Sequence, residues 1–220
     1  MRQRLLAAAC LSAALLLNSS TAAAQSASPG SGQAMKQKSC ISPAKIQLQN
    51  DLRKLWIDHV VWTRNYIVSA VAGADDQAKV LARLLQNQQD LGNAIKPFYG
   101  DATGNKFTDL LTQHILLAGK VVDAAIKGNQ ADVAANNKLW YQNADEVAKF
   151  LGGINPNWKE QELKDIWHKH LQLITTAMTT RLAKDWTGDI AAFDEGEQHM
   201  IHFADVMADG IAKQFPDKFK

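Results

Sequence analysis

Cysteine is almost missing from this chain, which holds only Cys10 and Cys40. Cys10 lies in an N-terminal segment that we expect to be removed, so Cys40 is left alone in the mature protein. A single cysteine cannot form an internal disulfide, and the fold must therefore rest on packing rather than on crosslinks. Cys40 is predicted to be a free thiol or an intermolecular partner.

Long hydrophobic runs are missing too, except for Leu5–Leu17 near the N-terminus. This run is too short to span a bilayer. It follows Arg2 and Arg4, and a small-x-small pattern ends at Ala24, which is typical of a signal peptide. We therefore predict a signal peptide over residues 1–24 and a mature protein that is periplasmic or secreted. Since no later segment is both long and free of charge, no transmembrane segment is predicted in the mature chain.

An excess of one charge is likewise absent. The sequence has 24 basic and 22 acidic residues. Removal of Arg2 and Arg4 with the signal peptide leaves 22 basic residues against 22 acidic ones, a formal net charge of zero. Domains that bind nucleic acid carry clustered lysines and arginines, and no such cluster occurs here. The composition therefore predicts no nucleic acid among the partners.

Proline and strand signals are scarce in the rest of the chain. After Pro43 only three more prolines follow, each near the end of a periodic segment, and alternating β-branched runs are missing. Residues 25–42 are rich in Ser, Gly, Gln and Lys with little to bury, which is typical of a disordered leader. These patterns predict that residues 43–220 form one all-α domain.

Helical periodicity fills this domain, with capping residues and breakers at regular intervals. We predict six helices joined by short linkers, which favours antiparallel neighbours in a single up-down bundle. Their predicted limits are Pro43 to Ala72, the Asp75-Asp76 cap to the residue before Pro97, Asp101 to Gly128, Asn129 to Gly152-Gly153, a fifth helix that opens at the Asn155-Pro156-Asn157 cap, and a sixth from Asp185–Gly188 to the residue before Pro216.

Three histidines and one glutamate lie near the centres of the predicted apolar stripes. His59 interrupts the stripe of the first helix, His114 that of the third and His170 that of the fifth, while Glu197 lies on the sixth. The histidines are 55 and 56 residues apart, and the odd-numbered helices of an up-down bundle point the same way. We therefore expect the three imidazole rings to share one level of the bundle, with Glu197 facing them.

A buried polar layer of this kind needs internal compensation, because an unpaired buried polar group costs about 1–3 kcal/mol. Three imidazoles and one carboxylate suit zinc, or iron or copper with a different geometry. Gln88 on the second helix and Asn143 on the fourth would then fix the tautomers of the rings. The alternative is a hydrogen-bonded network without a ligand, in which each histidine bonds a neighbour.

Four glycines interrupt the helices, where each costs about 1 kcal/mol relative to alanine. Close helix crossing would explain them, and so would room for a ligand beside Glu197. They are Gly92, Gly119, Gly196 and Gly210.

Four strings of the sequence resemble a family of small, uncharacterised bacterial all-helical exported proteins. They are LWIDHVVWTRNYI, RLLQNQQDLGNAIKPFYG, WYQNADEVAKFLGGINPNW and FADVMADGIAKQFPDKF, spread over Leu52 to Phe219. The resemblance implies a helical domain but no established activity, and it directs attention to five residues within these strings as supporting residues of the site. These are Arg64, Asn87, Asp90, Asn143 and Asp205.

Two hypotheses for function follow. The first is an exported binding protein whose His/Glu layer holds a transition metal or a small ligand. The second is a non-enzymatic envelope interaction or stress protein, whose layer only fixes the register of the helices and whose partner is another envelope protein. Motifs for nucleotide binding, nucleophilic catalysis, covalent haem attachment and di-iron sites are missing, so a metal-dependent enzyme is the less favoured interpretation and no catalytic residue is predicted.

Overall fold

A computed structural model describes residues 42–220. The predictions for the signal peptide, for the leader up to residue 41 and for Cys40 lie outside the described residues. Six α-helices and one short 3-10 helix follow one another, with no strand in this part of the chain, so the prediction of an all-α bundle is confirmed. The elements are α1 (Pro43–Ala72), α2 (Gln77–Tyr99), α3 (Asp101–Ile126), α4 (Gln130–Ile154), α5 (Glu160–Leu182), α6 (Trp186–Gln214) and η1 (Pro216–Phe219).

The ends of α1 follow from its local sequence. The Ser42 side chain accepts a hydrogen bond from the backbone N–H of Lys45 at 3.3 Å. Pro43 occupies the first turn, where a backbone N–H would have no partner within the helix, so the lack of this N–H in proline costs nothing. At the other end Gly73 adopts a left-handed φ of 62°, which glycine reaches at little cost. The predicted limits of this helix are confirmed.

The end of α2 differs from the prediction. The helix continues through Pro97 to Tyr99 and ends at Gly100, which has a φ of 81°. Proline breaks a helix chiefly in its interior, where it removes a backbone hydrogen bond and crowds the preceding turn. Since Pro97 falls in the last turn, the helix tolerates it and the glycine, not the proline, ends it.

The start of α5 also lies later than predicted. The helix begins at Glu160, whereas the Asn155-Pro156-Asn157 segment forms a turn before it. In this turn Asn155 Oδ1 accepts a hydrogen bond from the backbone N–H of Asn157 at 2.9 Å. The asparagine therefore closes a turn of its own instead of capping the helix.

Successive helices pack against one another in order, and α6 returns to pack against α1. Salt bridges show that these two helices are antiparallel, because Arg53 pairs with Asp205 and Arg64, further along α1, pairs with the earlier Asp189 of α6. α1 also touches α3 and α5, so the three odd-numbered helices meet in the interior. None of the helices in residues 42–220 has the combination of length and apolar character that a membrane span requires.

Two of the mid-helix glycines allow close packing. A Cβ added at Gly92 would overlap Thr108 Oγ1 and lie 2.6 Å from the carbonyl oxygen of Gly104, so α2 and α3 approach backbone to backbone there. A Cβ at Gly210 would overlap the indole of Trp158, whose Nε1 donates to a carbonyl of α6. Helix crossing and ring packing thus explain these two glycines.

Candidate functional site

The structure brings the three predicted histidines together inside the bundle. His59 on α1, His114 on α3 and His170 on α5 are each 1% exposed. His170 lies between the other two, with its ring centroid 5.5 Å from that of His59 and 5.9 Å from that of His114. We refer to these residues and their hydrogen-bond partners as the histidine layer.

Both ring nitrogens of His114 have partners. Trp140 Nε1 donates to His114 Nε2 at 3.1 Å, and Asn143 Oδ1 lies 2.9 Å from Nδ1. Because an indole N–H can only donate, Nε2 is the acceptor and the ring proton sits on Nδ1, where it is donated to Asn143. Asn143 Nδ2 donates in turn to the carbonyl of Leu110 at 3.2 Å. The ring is therefore a neutral, fixed tautomer without a free lone pair.

Two amides from α2 meet the first histidine. Gln88 Nε2 lies 3.4 Å from His59 Nδ1, and it also donates to the carbonyl of Leu84 at 2.8 Å and to Asn87 Oδ1 at 3.2 Å. Asn87 Nδ2 donates to the carbonyl of Leu55 on α1 at 3.0 Å. Both amides are buried. The layer thus ties α1 to α2 through side chains that the sequence had singled out.

Aromatic rings enclose the layer. Trp56 stands one turn before His59 and Trp167 one turn before His170, with ring-centroid distances of 5.4 Å and 5.8 Å, and Trp167 lies 5.1 Å from His114. These contacts are edge to face, as aromatic pairs prefer. Trp56 Nε1, Trp167 Nε1 and His170 Nδ1 are buried without a hydrogen-bond partner among residues 42–220. Packing therefore stabilises these rings more than hydrogen bonding does.

Burial keeps the three histidines uncharged. It lowers the pKa of His59 to about 4, although the hydrogen bond with Gln88 partly opposes the shift. It lowers the pKa of His114 to about 3, and the nearby His59 adds to that effect. Burial, with the neighbouring histidines, also lowers the pKa of His170 well below its ordinary value. Removing an imidazolium from water is costly, so the layer is neutral at physiological pH.

Glu197 does not belong to the buried polar residues. It is only half buried, whereas Asp189 on the same helix is 2% exposed. On α6, Ile190 is 53% exposed, whereas Phe203 is fully buried. The inward face of α6 includes small residues such as Gly196, which a count of large apolar residues misses, so the face was predicted with the wrong rotation.

A metal is not favoured by this arrangement. Within the described part of the chain, no group of three or more His, Cys, Asp or Glu side chains is placed so that it could hold a metal ion. Zinc needs nitrogen, sulfur or oxygen ligands about 2 Å from the metal, and His114 has engaged both of its nitrogens. The geometry supports the hydrogen-bonded layer better than zinc, iron or copper. Metal analysis of the purified protein beside His59→Ala and His170→Ala tests this, because a stoichiometric metal that both variants lose would overturn it.

A second polar cluster lies between α1, α5 and α6. Arg64 Nη1 and Nη2 donate to Asp189 Oδ1 and Oδ2 at 2.6 Å and 2.9 Å, and Arg181 Nη1 donates to Oδ2 at 3.0 Å. Burial raises the pKa of Asp189, but the hydrogen bonds and charges of the two arginines outweigh it and hold the pKa below its ordinary value. Arg64, which the resemblance placed among the supporting residues, therefore pairs with a buried acid. By sequence alone Asp189 resembles the acidic residues that favour a helix N-terminus, so its role was missed.

A cleft opens beside this arginine–aspartate cluster. Its cavity volume is about 20 Å³, and Arg64 and Asp189 are the charged residues in its otherwise apolar wall. Val60 and Ile174 line it, and since Val60 follows His59 directly in α1, the cleft adjoins the histidine layer. We call it the α1–α5–α6 cleft.

Gly196 forms part of the wall of this cleft. It is buried, yet a Cβ added to it would meet no atom within 4 Å. It therefore differs from Gly92 and Gly210, where a Cβ would overlap a neighbour. Of the two explanations that the sequence left open for mid-helix glycines, only free space fits Gly196.

Exposed apolar side chains flank the cluster on the first turns of α6. Trp186 and Ile190 are 52% and 53% exposed, and they stand one turn apart. The guanidinium of Arg181 lies 5.1 Å from the Trp186 ring centroid, and that of Arg64 lies 5.0 Å from the ring of Phe193, which lines the cleft. Cation–π contacts thus hold both arginines in place.

The remaining predicted site residues lie elsewhere. Asp205 accepts hydrogen bonds from Arg53 Nε and Nη2 at 2.6 Å and 2.7 Å and from Gln49 at 2.9 Å, which joins α1 to α6 at the surface. Asp90 accepts a hydrogen bond from Gln86 at 3.2 Å on the exposed side of α2. Both therefore contribute to the outer surface of the helices rather than to the histidine layer.

No known protein-family model matches this chain, and no curated protein or solved structure matches it either. The resemblance of its four strings to a family stays a prediction.

Proposed function

We propose that this protein is an exported binding protein for a small ligand, which it holds in the α1–α5–α6 cleft. Gly196 carries the proposal. A mid-helix glycine costs about 1 kcal/mol relative to alanine. No neighbouring atom requires a glycine at this position, and the free space beside it is the feature from which we infer a ligand.

The composition of the cleft supports the same proposal. Small-molecule sites are concave and mostly apolar, with a few convergent polar groups. The cleft has apolar walls with Arg64 and Asp189 as its polar groups, and its cavity volume is about 20 Å³. Export is supported by the basic start, the apolar run and the small-x-small pattern of residues 1–24.

The histidine layer takes a supporting role in this proposal. Its side chains hydrogen-bond across the pairs α1–α2 and α3–α4. Buried polar networks of this kind fix which residues face one another. Because His59 is followed directly by Val60, which lines the cleft, the layer holds one wall of the ligand site in register.

The alternative function, an envelope interaction protein without a ligand, is favoured by one observation. Trp186 and Ile190 expose apolar surface at the start of α6, and tryptophan is enriched at protein interfaces. Under this alternative a small molecule would not perturb the interior of the cleft. A titration of the protein with a small molecule therefore separates the two functions.

The proposal is tested by NMR of protein with labelled isoleucine methyl groups, titrated with butyramide, a small uncharged amphiphile. Ile67 and Ile174 line the cleft, whereas Ile95 is buried on α2 and serves as the internal reference. We expect saturable shifts at the two cleft methyls, little change at Ile95, and loss of the response in Gly196→Leu. The matched control is Gly153→Leu, because Gly153 also has open space around it but lies exposed on α4.

Three outcomes would count against the proposal. The first is the absence of saturable shifts in the wild-type protein. The second is a response spread evenly over all labelled methyl groups, since that indicates nonspecific solvation. The third is an unchanged response in the folded Gly196→Leu protein, because leucine fills the space that the ligand is proposed to take.

A further inference from the structure

We infer that a groove between α1, α2 and η1 binds a free amino acid with a large apolar side chain. We call it the α1–α2–η1 groove. It shares no lining residue with the α1–α5–α6 cleft, so the inference does not rest on the proposed function. It follows from the volume of the groove, from its apolar floor and from two opposite charges in its wall.

The α1–α2–η1 groove has room for such a molecule. Its cavity volume is about 560 Å³, and small-molecule sites typically have volumes of about 300–1,000 Å³. α1 and α2 supply most of its lining residues, and η1 supplies Lys218 and Phe219. An amino acid with an aromatic side chain therefore fits in the groove.

The floor of the groove is apolar. Leu48 and Leu52 on α1 line it and are 9% and 0% exposed. Phe98 on α2 and Phe219 on η1 line it too, with their rings stacked at a centroid distance of 5.9 Å. An apolar side chain that lies against these residues leaves water, and an aromatic ring adds contacts with the two phenylalanines. The floor therefore suits a large apolar or aromatic side chain.

Two opposite charges in the wall of the groove have no ion-pair partner. Asp51 and Lys218 both line the groove, and neither forms a salt bridge within residues 42–220. Gln47 Nε2 donates to Asp51 Oδ1 at 2.8 Å, a bond that does not use Oδ2. Lys218 Nζ donates to the carbonyl of Pro97 at 3.2 Å and lies 5.7 Å from the ring centroid of Phe98. Since an ammonium carries three donors, two remain for a ligand.

These two charges together favour a zwitterion. The ammonium of a ligand would pair with Asp51 and its carboxylate with Lys218, whereas a ligand with a single charge would leave one of the two residues unpaired. An amino acid carries both charged groups on one carbon and its side chain on the same carbon. It therefore matches the two charges and the apolar floor at once.

The test uses NMR of protein with labelled leucine methyl groups and three probes that share a phenyl ring. The probes are L-phenylalanine, phenethylamine, which lacks the carboxylate, and 3-phenylpropionate, which lacks the ammonium. Leu48 and Leu52 report on the groove, and Leu151, buried on α4, is the internal reference. We expect saturable shifts at the two groove leucines and little change at Leu151. Because both charges are exposed, we expect L-phenylalanine to bind about two- to fivefold more tightly than either singly charged probe.

Two variants assign the charges to their residues. In Asp51→Asn we expect the affinity for phenethylamine to fall about two- to fivefold and that for 3-phenylpropionate not to fall. In Lys218→Gln we expect the reverse. The matched controls are Asp194→Asn and Lys213→Gln, which remove the same charges from exposed residues of α6 outside the groove. All four changes are at exposed positions, so we expect the variants to fold.

Each outcome decides for or against the inference. The absence of saturable shifts at Leu48 and Leu52 overturns it, and so do equal affinities for the three probes, because the charges are then not recognised. Control variants that weaken binding as much as Asp51→Asn and Lys218→Gln overturn it as well. Shifts that depend on protein concentration instead of on the probe indicate that a second copy of the chain covers the groove, and they also overturn it. A preference for L-phenylalanine, with each groove variant weakening only the probes whose charge it would pair with, supports the inference.

Discussion

Mild acid should destabilise this protein, because its three core histidines are uncharged in the folded state. Burial lowers the pKa of His59 to about 4 and that of His114 to about 3, and it lowers that of His170 well below its ordinary value. In the unfolded chain a histidine titrates near about 6.5. Between these values the unfolded chain binds protons that the folded protein excludes. The free energy of unfolding is therefore highest above pH 6.5 and falls as the pH drops toward 4.

The magnitude follows from proton linkage. At pH 5 an unfolded histidine is about 97% protonated, whereas His59 in the fold is about 9% protonated, which removes about 2 kcal/mol of stability. His114 removes about the same amount, because at pH 5 its folded ring is already almost fully neutral. Together they account for about 4 kcal/mol, and His170 adds in the same direction. Domains have a total free energy of unfolding of about 5–15 kcal/mol, so this loss is a large share of the stability of the protein.

The assay is urea denaturation at pH 8, 6.5 and 5, followed by far-UV circular dichroism. Asp189 also has a lowered pKa, but a carboxyl contributes mainly below about pH 4, so the range above pH 5 isolates the histidines. We expect the pH dependence to shrink by about one proton in His59→Gln and to stay unchanged in His202→Gln, since His202 is exposed. A wild-type free energy of unfolding at pH 5 within about 1 kcal/mol of that at pH 8 would refute the reasoning.

Three further predictions concern single substitutions measured by urea denaturation at neutral pH. Gly92→Ala should lose about 1–3 kcal/mol, because its Cβ has no room against α3, whereas Gly196→Ala should gain up to about 1 kcal/mol. A Gly92→Ala protein that is more stable than the Gly196→Ala protein would contradict the packing of these two glycines. Asp189→Asn should lose about 3–5 kcal/mol, since it leaves two largely buried arginines unpaired, and a loss under 1 kcal/mol would show that water reaches the cluster. Trp140→Phe keeps the ring but removes the donor to His114, so we expect a loss of about 1–3 kcal/mol, and an unchanged stability would argue against the assigned tautomer.

The helical fold could be predicted because its signals are local. Breakers such as Gly73 and Gly128 and short linkers mark the ends of long periodic segments, and short linkers favour antiparallel neighbours. The nearly equal spacing of His59, His114 and His170 predicted that their rings share one level, and the structure brings them together. Where local signals compete, the prediction was wrong, as at the end of α2 and at the start of α5.

The cleft could not be predicted, because it depends on the rotation of α6. A single helix gives the period of its apolar residues, but small residues such as Gly196 carry little weight in that pattern, although they form the inward face. The stripe was therefore centred near Glu197 and the buried acid Asp189 was overlooked. Its ion pair with Arg181 could not be predicted either, because this pair depends on how the turn between α5 and α6 brings the two side chains together.

A crystal structure of the wild-type protein soaked in butyramide decides whether the space over Gly196 is a ligand site. We expect electron density over Gly196, with the amide beside Arg64 and the chain against Val60 and Ile174. A structure in which a neighbouring side chain covers Gly196, or in which butyramide binds only at the protein surface, would contradict the proposed function.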